Sequence, residues 1–153
     1  MTAYDLPRLF DTVVHMLQDA GGKSPDHVAL TCEGQDMTYQ SFVRCVAGFA
    51  RELEGLGARG ERVALVCGNS FEIVVASYAA YAAGAQVVPI NPLYTHRELS
   101  FILEDADPAV VVYDIAKADD VLPLLDTAKR MTGIAVGEGS RTLDDWVDLD
   151  LPL

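Results

Sequence analysis

Two hydrophobic periods alternate along this 153-residue chain, and that alternation limits its folds more than any single motif does. Phe42, Val46, Phe49, Leu53 and Leu56 follow one another at steps of four and three, a single stripe along a helix. Arg62–Cys67 (RVALVC) then reads as an unbroken apolar run, the pattern of a strand covered on both faces. Strands of that kind need helices above and below them. The expected fold is therefore α/β, a largely parallel sheet flanked by helices.

Punctuation places the remaining elements. Leu6–Ala20 reads as a helix closed by Gly21-Gly22, and Val28–Cys32 with Met37–Tyr39 reads as a small N-terminal hairpin around residues 33–36. Thr38 is the expected N-cap of the striped helix. Asn69 or Ser70 caps the next helix, which runs to Ala83. Gly84 then supplies a left-handed C-terminal cap. Gln86–Ile90 is strand-like, although Pro89 cannot donate to a central ladder. Asn91-Pro92 turns the chain, and Thr95 with Glu98 forms a capping box for a helix burying Leu99, Ile102, Leu103 and Ala106. Val110–Tyr113 is a strand, and Lys117–Arg130 a helix broken near Pro123. Ile134–Val136 is a short strand, and Thr142–Val147 one last helical turn or two. Leu149–Leu153 carries no closing element. No internal domain boundary is visible.

Composition narrows the partners. The formal charge is −12, and residues 104–150 hold 12 Asp/Glu against 4 Lys/Arg, so nucleic acid and anionic membrane surfaces are poor partners. That acidic third reads as a solvated face. Cys32, Cys45 and Cys67 are odd in number and widely spaced, which excludes a disulfide framework and fits a reducing, cytoplasmic setting. The first twenty residues lack the apolar core of a signal peptide. Ile73–Thr95 carries no formal charge, yet Gly84, Gln86, Pro89, Asn91 and Pro92 argue against a membrane-spanning helix, so no transmembrane segment is expected.

Three strings imitate active-site motifs. Gly55-Leu-Gly-Ala-Arg-Gly60 spells a dinucleotide fingerprint but follows a helix instead of a strand, so it would present carbonyls to a phosphate. Gly21-Gly-Lys-Ser24 lacks the first glycine of a phosphate loop. Gly68-Asn-Ser70-Phe-Glu72 sits at a strand-to-helix turn, as a serine nucleophile should, but Glu72 replaces the second glycine. A serine hydrolase on Ser70 stays as a remote alternative. His15, His27 and His96 have no metal-ligand spacing, and no metal site is expected.

Taken together, "MTYQSF" (37–42) and "RVALVCGNSFEIVVASYAAYAAGAQVVPINPLYTHRELSFILEDADPAVVV" (62–112) resemble the start of an AMP-forming acyl-CoA synthetase of the adenylate-forming superfamily. Thr38-Tyr39, Ala83-Gly84-Ala85, Val88-Pro89-Ile90-Asn91-Pro92, and Glu98-Leu99 with Leu103 carry the likeness. Asn91–Thr95 is most similar to the fatty-acyl and aryl-CoA ligase branch, less to peptide synthetases. The resemblance implies an N-terminal lobe of such an enzyme's large domain, covering residues 1–153. It implies a ligase that joins a carboxylic acid, of long-chain fatty type, to CoA through an acyl-adenylate, using ATP and Mg.

The family's Ser/Thr/Gly loop ending Pro-Lys-Gly does not occur in this sequence. The chain is therefore expected to be an incomplete N-terminal portion, inactive alone, with no catalytic residues of its own and no bound cofactor. Leu93, His96 and Arg97 are the expected CoA-proximal residues. An uncovered sheet edge or apolar face is expected to drive self-association. The alternative is a naturally short, non-catalytic module that binds acyl groups or protein.

Overall fold

The computed structural model describes residues 8–128 and 130–147. In chain order these form α1 (Val13–Lys23), β1 (Val28–Cys32), β2 (Gln35–Thr38), α2 (Tyr39–Gly55), β3 (Arg62–Val66), α3 (Phe71–Ala82) and β4 (Gln86–Pro89). There follow α4 (His96–Ala106), β5 (Val110–Asp114), a 3-10 turn at Ile115–Lys117, α5 (Ala118–Thr127), β6 (Thr132–Val136) and α6 (Asp144–Val147). β1 and β2 pair antiparallel as a hairpin. The other four strands make one parallel sheet in the order β4-β3-β5-β6.

The sheet is covered on both sides, as continuous apolar strands require. Val63, Leu65, Cys67, Val110, Val112, Ile134 and Val136 face a core shared with α1, α2, α3 and α6. Ala64, Val66, Val111 and Tyr113 face a second core with Leu99 and Leu103 of α4 and Val121 of α5. A crossover of fixed hand that reverses direction must change faces. The chain does so: α3 carries it from β3 outward to β4 over one face, and α4 carries it back past β3 to β5 over the other.

Caps fall where side chains can accept. Thr12, Thr38, Ser70 and Thr95 each take a backbone N–H of their helix's first turn, and Ser70, not Asn69, caps α3. Gly84 has a φ of 74°, and its amide bonds to the Tyr81 carbonyl.

Several boundaries differ from the sequence expectation for identifiable reasons. The expected helix from Leu6 begins at Val13; Leu6 itself lies outside the described residues. That helix also runs through Gly21-Gly22 to Lys23 and stops at Ser24-Pro25, where proline disfavours helix in the preceding residue. Gly21 serves packing instead, because a Cβ there would sit 2.8 Å from Val43 Cγ2 of α2. The hairpin turns on Glu33 and Gly34 alone, at φ 50° and 78°, so β2 starts earlier than Met37 and Tyr39 already belongs to α2. Leu56, read as the end of the buried stripe, is the C-cap of α2 and 38% exposed. α5 passes through Pro123 unbroken and ends at Thr127; Pro123 and Asp119 are both exposed, so the one missing bond opens to solvent. β6 begins at Thr132 because Gly133 pairs with Val111 and leaves room for Leu125, whose Cδ1 would lie 2.3 Å from a Cβ. Leu149–Leu153 lies outside the described residues.

Trp146 belongs to no periodic stripe of the sequence, yet α6 buries it to 1% exposure. Its ring stacks on Phe49 at 4.3 Å and 14°, and its Nε1–H donates to Glu52 Oε2 at 2.9 Å. Arg141 pairs with the other Glu52 oxygen at 2.7 Å, and Cys45 Sγ reaches the Leu143 carbonyl. The segment after β6 is thus fastened across α2. Trp146→Ala should cost about 3–5 kcal/mol in chemical denaturation. Trp146→Phe, which keeps a stacking ring but loses the bond to Glu52, should cost clearly less.

Candidate functional site

In an open parallel sheet, ligands bind outside the carboxyl ends of the strands, where adjacent strands send their helices to opposite faces. Here that point lies between β3, followed by α3, and β5, followed by α5. The Asp114 carboxylate fills it: Oδ2 accepts the Gly68 amide at 2.7 Å. Ser70 Oγ accepts the Ile73 amide, with Ser70 at φ −155° in relaxed extended backbone. A serine nucleophile needs a strained elbow that lifts its hydroxyl free. Ser70 is a cap, and the hydrolase alternative has no geometry behind it.

That corner buries the Cys67 thiol, and Cys45 is buried where α2 meets the segment before α6. Burial pushes the Cys67 thiol far up, and the Asp114 charge pushes it further. Cys45 is pushed up to about 11, again chiefly by burial, with Asp144 adding to it. Neither can act as a thiolate nucleophile near neutral pH. Cys32 is half-buried, beside a cavity of about 250 Å³ between the hairpin and the start of α3.

The carboxyl end of β4 forms a second corner. Ile90 is buried, its amide donating to the Leu65 carbonyl at 2.9 Å, and Asn91 Oδ1 accepts the Leu93 amide at 2.9 Å to close the turn. The expected capping box is present. Thr95 N and Oγ1 both donate to Glu98 Oε2 at 2.8 Å, and the Glu98 amide donates back to Thr95 Oγ1. Those donors, the Thr95 amide first, hold the Glu98 carboxyl below the usual glutamate range.

The three expected site residues are neighbours in sequence but diverge in space. Leu93 is 86% exposed on the turn. The His96 ring turns to α5, its Nδ1–H donating to the Asp120 carbonyl at 3.0 Å. Arg97 instead lines a groove of about 450 Å³ with Tyr94, Glu98, Phe101 and Ile102. Sequence reading missed Tyr94, Phe101 and Asp114. The last carries a legible signal, an acid placed directly at the end of the apolar run VVVY.

Fit to the expected cofactors is uneven. Among the described residues no three His, Cys, Asp or Glu side chains converge to hold a cation. The Gly68 amide, at the strand-to-helix turn after β3, is already taken by Asp114. Neither arrangement offers a cradle for magnesium or the ATP phosphates among the described residues. Arg97 has no carboxylate partner among the described residues and is a cation an external phosphate can reach.

The family model described as "AMP-binding enzyme" matches residues 17–148, and the chain belongs to that family. It is 34% identical over 119 residues to a medium/long-chain-fatty-acid–CoA/3-oxocholest-4-en-26-oate–CoA ligase of Mycobacterium marinum, covering 76% of this chain and 22% of that protein. It is 32% identical over 117 residues to malpinin synthetase of Mortierella alpina, covering 75% of this chain and 2% of that one. The structure of a fatty acyl CoA synthetase from Mycobacterium tuberculosis superposes with a TM-score of 0.73 at 32% identity, over 84% of this chain and 26% of that chain. The chain thus spans about a fifth of the length of the curated CoA ligase it matches.

Three outcomes follow from these arrangements. A thiol reagent should label Cys32 in the native protein and reach Cys45 and Cys67 only on unfolding, read by mass spectrometry. Thr95→Ala should cost about 1 kcal/mol of stability. Because the folded Glu98 pKa is lowered, its stabilising effect is full above the ordinary value near 4.3 and is lost as pH falls below it. Protection of the amides at the start of α4, taken relative to the intrinsic exchange rate at each pH, should fall on such acidification in the parent protein, and the fall should be absent in Glu98→Gln.

Proposed function

We propose that this chain is the N-terminal layer of the large domain of an AMP-forming fatty acid–CoA ligase. The observation that carries the reading is the family match over residues 17–148, with the Val88–Pro92 segment at the carboxyl end of the edge strand. The reaction has two steps. The acid's carboxylate oxygen attacks the α-phosphorus of ATP, forming acyl-AMP and releasing pyrophosphate. The CoA sulfur then attacks the acyl carbon, losing its proton, and AMP departs with the bonding pair.

In this reading no described side chain has a catalytic role. The buried thiols are held protonated, Ser70 is spent as a cap, and Asp114 is spent on Gly68. The family's Pro-Lys-Gly loop is absent from the sequence, so phosphate binding needs residues beyond these. The chain's share is scaffold and wall, and on its own it turns over neither step. In that wall, Leu93, His96 and Arg97 flank the CoA passage, with Arg97 meeting a phosphate in a charge-assisted bond. The preference for long-chain acids rests on the fatty-acid ligases among its relatives. A cytoplasmic location fits three free thiols and the absence, among the described residues, of a helix long and apolar enough to cross a membrane.

The test is to transplant residues 17–148 into the matching stretch of the Mycobacterium marinum ligase. The chimera should release AMP in the presence of ATP, CoA and a long-chain fatty acid, and the isolated chain should release none. In the chimera, Arg97→Ala should raise KM for CoA several-fold and leave KM for the acid unchanged. Acid-dependent AMP release by the isolated chain, or a folded chimera without activity, would contradict the reading.

A further inference from the structure

Where copies of this chain would meet is decided by two features of the surface. The β4 edge is poorly made for pairing. The Gln86 and Ile90 amides point inward to Glu61 and Leu65, so by the period of two the outward amides belong to positions 87 and 89. Position 89 is proline, which has no amide to give, and the edge offers one donor only.

The outer side of α4 is different. Arg97, Phe101 and Asp105 are spaced i, i+4, i+8, one inclined ridge of cation, aromatic ring and anion. It lies opposite the buried set Leu99, Leu103 and Ala106, and Phe101 is 72% exposed on it. Leu93 and Tyr94 add apolar surface at one end. The charges of the stripe are not used within the molecule: among the described residues neither Arg97 nor Asp105 is in a salt bridge.

We infer that this stripe is a two-fold contact between two copies of the chain, with their α4 helices antiparallel and crossing at Phe101. Charge complementarity selects this occupant. A two-fold axis makes a surface meet itself, so residue i of one copy contacts residue j of the other and the reverse. Arg97 and Asp105 are equidistant from Phe101, so each Arg97 falls opposite the other copy's Asp105 while the two Phe101 rings meet at the centre. Glu104 lies one position away, within reach of the same guanidinium. Each copy carries a formal charge of −12, and two such chains repel. Two symmetric ion pairs offset that repulsion at the point of contact. A single helix pair buries little area, so the dimer is weak and concentration-dependent.

The contact rests on α4 alone and is independent of the ligase reading. It does use the guanidinium which that reading offers to CoA, and one Arg97 serves one anion at a time.

The test is analytical ultracentrifugation of the intact chain over a concentration series. The parent should show a monomer–dimer equilibrium. Phe101→Glu and Arg97→Glu should each shift it at least tenfold towards monomer, and Arg97→Glu combined with Asp105→Arg should restore it. The changes are at exposed positions, and both charge changes suit the helix dipole, so circular dichroism should report a parent-like fold. A parent that stays monomeric even at about 1 mM chain overturns the proposal. So does a dimer that survives Phe101→Glu, or a charge-swapped pair that stays monomeric.

Discussion

Burial of β3 on both faces and along both edges is the constraint on which the rest depends. Its residues Val63 to Val66 are fully enclosed, with β4 and β5 in register on either side. A strand so placed must be apolar at every position and must have layers above and below, and the helices that supply them return the chain so that its neighbours run parallel. α2, α3 and α6 settle on one face because Val63 and Leu65 point there. α4 and α5 settle on the other because Ala64 and Val66 do. The change of faces between α3 and α4 then leaves the switch point beside β3, and Asp114 closes it.

Much of this was legible because local chemistry and global fold agree. The α2 stripe as far as Leu53, the runs RVALV and VVVY, and the caps at Thr38 and Thr95 each have one reading, and tertiary packing uses them as read. Two of the shifted boundaries share a cause. The sequence reading closes the first helix at Gly21 and starts the last strand after Gly133, because glycine is the sign of a turn. In three dimensions each is the place where another element comes close, Val43 at one and Leu125 at the other. Pairwise distance is information that a linear pattern does not hold. Trp146 escaped for the same reason: its partners Phe49 and Glu52 lie far back in the chain.

The candidate site was legible as a corner and not as an arrangement. Asn91, Pro92, Thr95 and Glu98 announce a tightly controlled turn, and the structure builds it with the expected capping box. Which way His96 and Arg97 point from that turn is fixed by α5 on one side and solvent on the other. Sequence spacing put them together; the helix turn separates them. Pro89 shows the opposite case. Its missing amide was visible as a mark of an edge strand, and the ladder places it on the outward side, where it blunts that edge.

Native-state hydrogen exchange measured residue by residue tests the central place of β3 most directly. Amides of β3 and β5 should exchange only through global unfolding, with the full stability of the protein, while those of the β1–β2 hairpin and α6 open locally at lower cost. If β3 exchanged as fast as the hairpin, the sheet would not be organised about it, and the burial of that strand would not be what holds the layers together.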